Sequence, residues 1–229
     1  MALFSRLSTF CATLSFLAVI GIGAQAQLGI VSDRADIHAT DTVDWSNLTE
    51  PYYSGTFTSD HGLTGSVYIP NVVNVGVRTI TDANDGTDFA VGDTVLCDWV
   101  TTNSEIDVRF DTPVIAAGAC MESFKQGPYT GDVRAFDSSD TMIGSFSLYR
   151  YNAGLANGGA AFWGFSDPLG RISKLTFSAR IAQPICSFGI NQLSVRVARD
   201  NPVPEPSALA FLLTGGAPVL LFGLRRRKA

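Results

Sequence analysis

The sequence predicts an all-β protein, an antiparallel β-sandwich of jelly-roll type, and three observations carry that expectation. Between Gln27 and about Val197 no stretch keeps a 3.6-residue apolar period for three turns. Short runs rich in Val, Ile, Phe, Tyr and Thr recur instead, separated by clusters of Asp, Asn, Ser and Gly. The composition agrees: of 229 residues 46% are hydrophobic and 16% charged, too apolar and too weakly charged for a disordered chain.

In chain order, residues 67–69 and 72–80 are the first expected strands, followed by a turn at Asp82-Ala83-Asn84-Asp85-Gly86. Residues 105–110 alternate, with Ile106, Val108 and Phe110 on one face and Glu105, Asp107 and Arg109 on the other, the pattern of a half-buried strand. Residues 113–121 are more continuously apolar, as in a strand covered on both sides. Residues 132–136 and 143–149 flank Asp137-Ser138-Ser139-Asp140, whose short polar side chains suit a hairpin connection. Residues 160–165, 172–179 and 187–197 complete a set of nine or ten strands in one domain.

The two ends read differently. Arg6 precedes an apolar stretch from Phe10 to Ile22, and Ala24-Gln25-Ala26 follows, the small-x-small pattern that signal peptidase cleaves. Residues 1–26 are therefore expected to be a signal peptide, leaving residues 27–200 as the ectodomain. At the other end, Asn201-Pro202-Val203-Pro204-Glu205-Pro206 is held extended by its prolines. Seventeen uncharged residues follow, 208–224, and then Arg225, Arg226, Arg227 and Lys228. At about 1.5 Å per residue such a helix just spans a thin bilayer, and the basic cluster would mark its cytoplasmic end. The domain would then lie outside the inner membrane. Between residues 27 and 200 stand 11 of the 16 Lys and Arg against 20 of the 21 Asp and Glu, so a phosphate backbone would be repelled and nucleic-acid binding is disfavoured.

Pro204-Glu205-Pro206, the apolar 208–224 segment and Arg225–Lys228 together resemble the PEP-CTERM sorting signal. The resemblance implies a Gram-negative bacterium that makes exopolysaccharide, and an exosortase that processes residues 201–229 near the triplet. The protein would pass from the inner membrane to the cell surface or extracellular matrix. The middle of the chain resembles a recurrent ectodomain of such proteins. The resemblance is carried by residues 41–48, Arg109-Phe110-Asp111-Thr112-Pro113-Val114, Gly118, the hairpin around Ala135-Phe136-Asp137 with Ile143-Gly144-Ser145-Phe146, and Phe188-Gly189-Ile190-Asn191-Gln192-Leu193. It implies a galactose-binding-like β-sandwich without an assigned ligand. Asn191 stands where such ectodomains often carry an acidic residue, which argues against a metal at that turn.

Chemistry-bearing motifs are sparse. His38 and His61 are the two histidines, so a multi-histidine metal site is excluded, and no metalloprotease, nucleophile-elbow, phosphate-loop or dinucleotide signature occurs. Ser59-Asp60-His61 reads as a polar turn rather than a triad, because adjacent strand residues face opposite ways. Glu105, Asp107 and Asp111 share one strand face and could pair as glycosidase carboxyls, but a solvated face looks the same. Asp82, Asn84, Asp85 and Asp88 are the candidate calcium ligands, clustered oxygens on a glycine-containing turn. Trp99, Tyr129, Tyr149, Tyr151 and Trp163 are the possible carbohydrate platforms, and Tyr149 and Tyr151 are favoured, being out of phase with Phe146 and Leu148 and so directed to solvent, with Arg150 facing the other way. Cys97, Cys120 and Cys186 follow the leader, and an exported compartment permits one disulfide, with Cys120–Cys186 favoured over Cys97–Cys120; the alternative is that all three stay reduced and buried. The expectation is a non-enzymatic exported protein associated with exopolysaccharide. The alternatives are a calcium-assisted lectin-like module and, behind it, a polysaccharide-active enzyme.

Overall fold

The computed structural model describes residues 27–48, 54–70, 75–82, 85–98, 105–181 and 187–198. The expected signal peptide and the sorting segment, with Pro204, Glu205, Pro206, Arg225, Arg226 and Arg227, lie outside these residues, as do Asn84 and Cys186. Among the described residues no helix is long and apolar enough to cross a membrane.

Fourteen strands are formed among them: β1 (Gly29–Val31), β2 (Asp41–Val43), β3 (Ser54–Thr58), β4 (Thr64–Tyr68), β5 (Val75–Thr79), β6 (Thr94–Asp98), β7 (Glu105–Val114), β8 (Ala116–Ser123), β9 (Gly127–Phe136), β10 (Met142–Asn152), β11 (Phe162–Ser166), β12 (Ile172–Arg180), β13 (Phe188–Ile190) and β14 (Leu193–Arg196). They make an antiparallel sandwich. One sheet has the order β10-β9-β12-β7-β4-β3; the other runs β1-β11-β8-β13-β6-β5, with β14 bridging β8 and β2. The apolar sides of the two sheets meet in one core that joins Ile106, Val108, Val133 and Phe177 of the first to Leu96, Met121, Trp163 and Phe188 of the second. Aromatic rings knit it: Phe146 stacks on Trp163 at 5.6 Å between centroids and meets Phe165 edge-on at 5.2 Å, while Phe57 lies edge-on to both Trp45 and Phe110.

The expected hairpin is present. Asp137 Oδ1 accepts from the Ser139 and Thr141 N–H groups, the Asp137 N–H donates to the Thr141 carbonyl, and Asp140 takes the left-handed conformation at φ 58°. Two expected strands are each divided. The apolar run 113–121 is not one strand: β7 ends at Val114, and β8 begins at Ala116 in the other sheet. Ile115 turns the corner, its N–H donating to the Arg196 carbonyl and its own carbonyl accepting from Asp167 N–H. The run 187–197 breaks at Asn191, whose N–H donates to the Cys120 carbonyl while its Oδ1 accepts from Cys120 N–H at 2.9 Å and from Arg34 at 2.8 Å. One asparagine thus binds β8 with both main chain and side chain, and β13 and β14 pair with the same edge of β8 on either side of it.

Candidate functional site

The six-stranded sheet turns a polar face outward, and its register shows how that face is assembled. On β7 the alternation expected from sequence holds: Ile106, Val108 and Phe110 are buried while Glu105, Asp107 and Arg109 lie opposite. Strand β9 repeats it, burying Tyr129, Val133 and Ala135 and turning Thr130, Asp132 and Arg134 outward. Strand β12 buries Leu175, Phe177 and Ala179 and sends Lys174, Thr176, Ser178 and Arg180 to the same side. Cross-strand pairing then aligns Ser147, Asp132, Ser178 and Glu105 in one row and Tyr149, Thr130 and Arg180 in the next.

Tyr149 and Tyr151 stand on β10, at the edge of this sheet, 68% and 66% exposed, opposite Thr130 and Pro128. Tyr129 and Trp163 are not platforms, since both rings are buried in the core, and Trp99 lies outside the described residues. Arg150 between them turns to the other side, its guanidinium 6.0 Å from the Trp163 ring centroid. A hollow of about 570 Å³ opens beside Tyr149, lined also by Pro128, Thr130, Arg180 and Ile181. A second, of about 350 Å³, lies over the row containing Asp132 and Ser178 and shares Arg180 with the first.

Charge on this face is arranged in pairs. Arg180 clasps Asp132 with both Nε and a terminal nitrogen at 2.8 Å, and Ser147 Oγ donates to the same carboxylate. Arg134 meets Glu105 at 2.5 Å. Further along, Asp140 bridges Arg109 at 2.6 Å and Lys174 at 2.9 Å, and these two cations hold its carboxyl below the ordinary value of 3.8, Lys174 the more strongly. Asp107 accepts from Thr176 Oγ1, and Asp111 from Thr64 Oγ1 at 2.6 Å. The carboxylates considered as a glycosidase pair are therefore each engaged by a neighbour on the face.

The other sequence candidates are placed elsewhere. Asp85 accepts from Thr81 N–H and pairs with Arg78; the Thr81 N–H first, and then Arg78, draw its carboxyl below 3.8 despite opposing desolvation. Asp88 is buried, its two oxygens accepting from Ala153 and Leu155 N–H groups at 2.9 and 2.8 Å. Among the described residues no group of three or more His, Cys, Asp or Glu side chains is arranged to hold a metal ion. Ser59, Asp60 and His61 form a turn: Ser59 Oγ donates to Asp41 and accepts from Leu63 N–H, and the His61 N–H donates to Asp41 Oδ1. Cys97 and Cys120 are free thiols, and burial pushes the first up to about 12 and raises the second.

A buried carboxyl pair was not anticipated. Glu122, 1% exposed, accepts from Asp88 N–H at 2.6 Å and meets the Asp88 side chain; burial above all pushes its carboxyl up to about 8. Nothing in the sequence around Glu122 marks it, because the partner sits 34 positions away in a loop. Asp132, Arg134 and Arg180 were equally unmarked. Their alternation on β9 and β12 was readable, but only the lateral register brings them beside Tyr149.

The fold and this face together define a β-sandwich protein with an exposed, polar, aromatic-edged sheet surface. No protein-family model matches the chain, and no curated protein matches it. Among solved structures it is similar, over 74% of its length, to the whole of a DUF4465 family protein from Bacteroides caccae, at 12% identity and a TM-score of 0.40. It is similar to CsCBM6-3 from Clostridium stercorarium, solved in complex with cellobiose, over 69% of this chain and 93% of that one, at 9% identity and a TM-score of 0.34. A likeness to the enzymatically active domain of bacteriophage CBA120 tailspike protein 4 covers 56% of this chain and 19% of that one, at 14% identity and a TM-score of 0.28.

Proposed function

We propose that this is an exported, non-enzymatic surface or matrix protein whose β-sandwich binds carbohydrate, the host's own exopolysaccharide being the expected ligand. One observation carries the binding reading: two tyrosine rings stand exposed on one strand face, and Tyr149 adjoins a hollow also lined by Thr130 and Arg180. A pyranose ring offers an apolar C–H face that stacks on such a ring and hydroxyls that need donors and acceptors alongside. Affinity of the full chain, purified in mild detergent, for the purified exopolysaccharide is the measurement. Tyr149→Ala is expected to weaken binding at least tenfold and Tyr151→Ala to weaken it less, since the hollow adjoins Tyr149. Unchanged affinity in both variants would remove the platform. A chelator is expected to leave binding intact, because Asp85 and Asp88 are engaged by Arg78 and by backbone N–H groups. Loss of binding on chelation would instead favour calcium at Asp82, Asn84, Asp85 and Asp88.

Delivery rests on the resemblance of residues 201–229 to a PEP-CTERM signal. In this reading signal peptidase removes residues 1–26, the apolar 208–224 segment and Arg225, Arg226 and Arg227 hold the protein at the inner membrane, and an exosortase recognises Pro204, Glu205 and Pro206. Glu205→Ala is expected to leave the chain full-size and membrane-bound in fractionated cells. Release of that variant at the wild-type rate would overturn the sorting claim.

A further inference from the structure

The geometry points to a neutral, hydroxyl-rich glycan, not an acidic one, as the ligand class of this face, lying from Tyr149 across β9 and β12 to Glu105; the inference rests on the carbohydrate reading above. Two observations support it. The first is continuity: the hollow at Tyr149 and the hollow over Asp132 and Ser178 share Arg180, so a chain stacked on the tyrosine runs directly into the second. The row Ser147, Asp132, Ser178, Glu105 crosses four adjacent strands, about 14 Å at about 4.8 Å per spacing, long enough for more than one sugar ring.

The second is charge. The two guanidiniums that line the second hollow are each matched to a carboxylate, Arg180 to Asp132 through two hydrogen bonds and Arg134 to Glu105 at 2.5 Å. An acidic polymer entering here would have to compete with Asp132 and Glu105 for those cations, and would meet the carboxylates as like charges. A neutral polyol has no such conflict. Its hydroxyls donate to the remaining carboxylate lone pairs and accept from the remaining guanidinium N–H groups, so each ion pair serves as a joint donor and acceptor without being broken. Ser147 and Ser178 add hydroxyls of their own in the same row.

The test is a binding panel with the full chain in mild detergent: neutral polymers (a mixed-linkage glucan, a galactomannan, dextran) against acidic ones (alginate, polygalacturonate), each at 20 and 500 mM NaCl. Variants are Tyr149→Ala, Asp132→Asn and Ser178→Lys, the last placing an unmatched cation on an exterior strand position where folding is not at stake. Binding of a neutral polymer that changes less than about twofold with salt, and falls at least tenfold in all three variants, is the expected result. Preferential binding of an acidic polymer, weakened by salt, would overturn the inference and leave the tyrosine platform standing. Neutral binding lost in Tyr149→Ala but kept in Asp132→Asn and Ser178→Lys would likewise overturn it, placing the chain elsewhere on the face. No binding to any polymer would overturn the carbohydrate reading itself.

Discussion

Two carboxyls, of Asp88 and Glu122, meet beneath the loop of residues 153–156. Asp88 fixes that loop through Ala153 and Leu155 N–H groups, while Glu122 receives the Asp88 N–H. With its carboxyl pushed from 4.5 to about 8 by burial, Glu122 keeps a proton in the folded protein that the unfolded chain has lost. Stability from this residue is therefore full below about 4.5, declines as pH rises and levels off above about 8. Glu122→Gln, which mimics the protonated acid and donates to Asp88, is expected to flatten that decline in melting temperatures measured from about pH 5 to about pH 8.5. A variant that melts with the same slope as wild type would show that Glu122 is ionised in the fold. Asp167 acts on the other side. Burial opposes its ionisation, but the Arg171 side chain and the Leu169 and Arg171 N–H groups outweigh it, so its contribution disappears as pH falls through and below 3.8.

At the level of strands, the side-chain alternation on β7 and the Asp137 hairpin could be read directly, because both are local: one needs period two and the other needs only short polar side chains in four residues. The corner at Ile115 and the break at Asn191 could not. Each depends on a hydrogen-bonding partner distant in the chain, Arg196 and Asp167 for the first, Cys120 and Arg34 for the second. The strands β1, β2, β3 and β6 escaped for another reason, being three to five residues long with Gly, Thr or Asp among them. Sheet-to-sheet distance is set at points that composition does not reveal. A Cβ at Gly131 of β9 would lie 2.4 Å from Met121 Cε and 2.7 Å from the Trp163 ring. Met121 can move its terminal methyl, but Trp163, fully buried and stacked on Phe146, cannot yield without dislodging the core. Gly131→Val is expected to cost about 3 kcal/mol in denaturant unfolding. A loss under about 0.5 kcal/mol would mean that the sheets separate easily at this point.

Across the whole molecule the question is whether a covalent tie supplements the core. Tyr149 and Tyr151 were legible as outward residues from phase alone, whereas the ion-paired row beside them needed four strands in register, and a disulfide needs still more, two sulfurs brought to bonding distance. The sequence favours Cys120 with Cys186, which would close a loop of about 65 residues and add on the order of 4 kcal/mol in the chain-entropy model. In the fold Cys120 is a free thiol whose sulfur lies 3.5 Å from an Arg34 guanidinium nitrogen, and that guanidinium is itself held by Asn191 Oδ1, Ser194 Oγ and the Gln192 carbonyl while it covers the Phe162 ring. This cluster joins the turn after β1 to β8, β11 and the β13–β14 break without a covalent bond. Reductant is therefore expected to leave the melting temperature of the exported protein unchanged within about 1 °C. A tie worth 4 kcal/mol would shift it by about 10 °C in a domain of this size, so a drop of that order on reduction would establish that a disulfide forms after export. Arg34→Ala separates the two cases further. It should lower the melting temperature equally with and without reductant if noncovalent contacts hold the corner, and have little effect in the oxidised protein if a disulfide does.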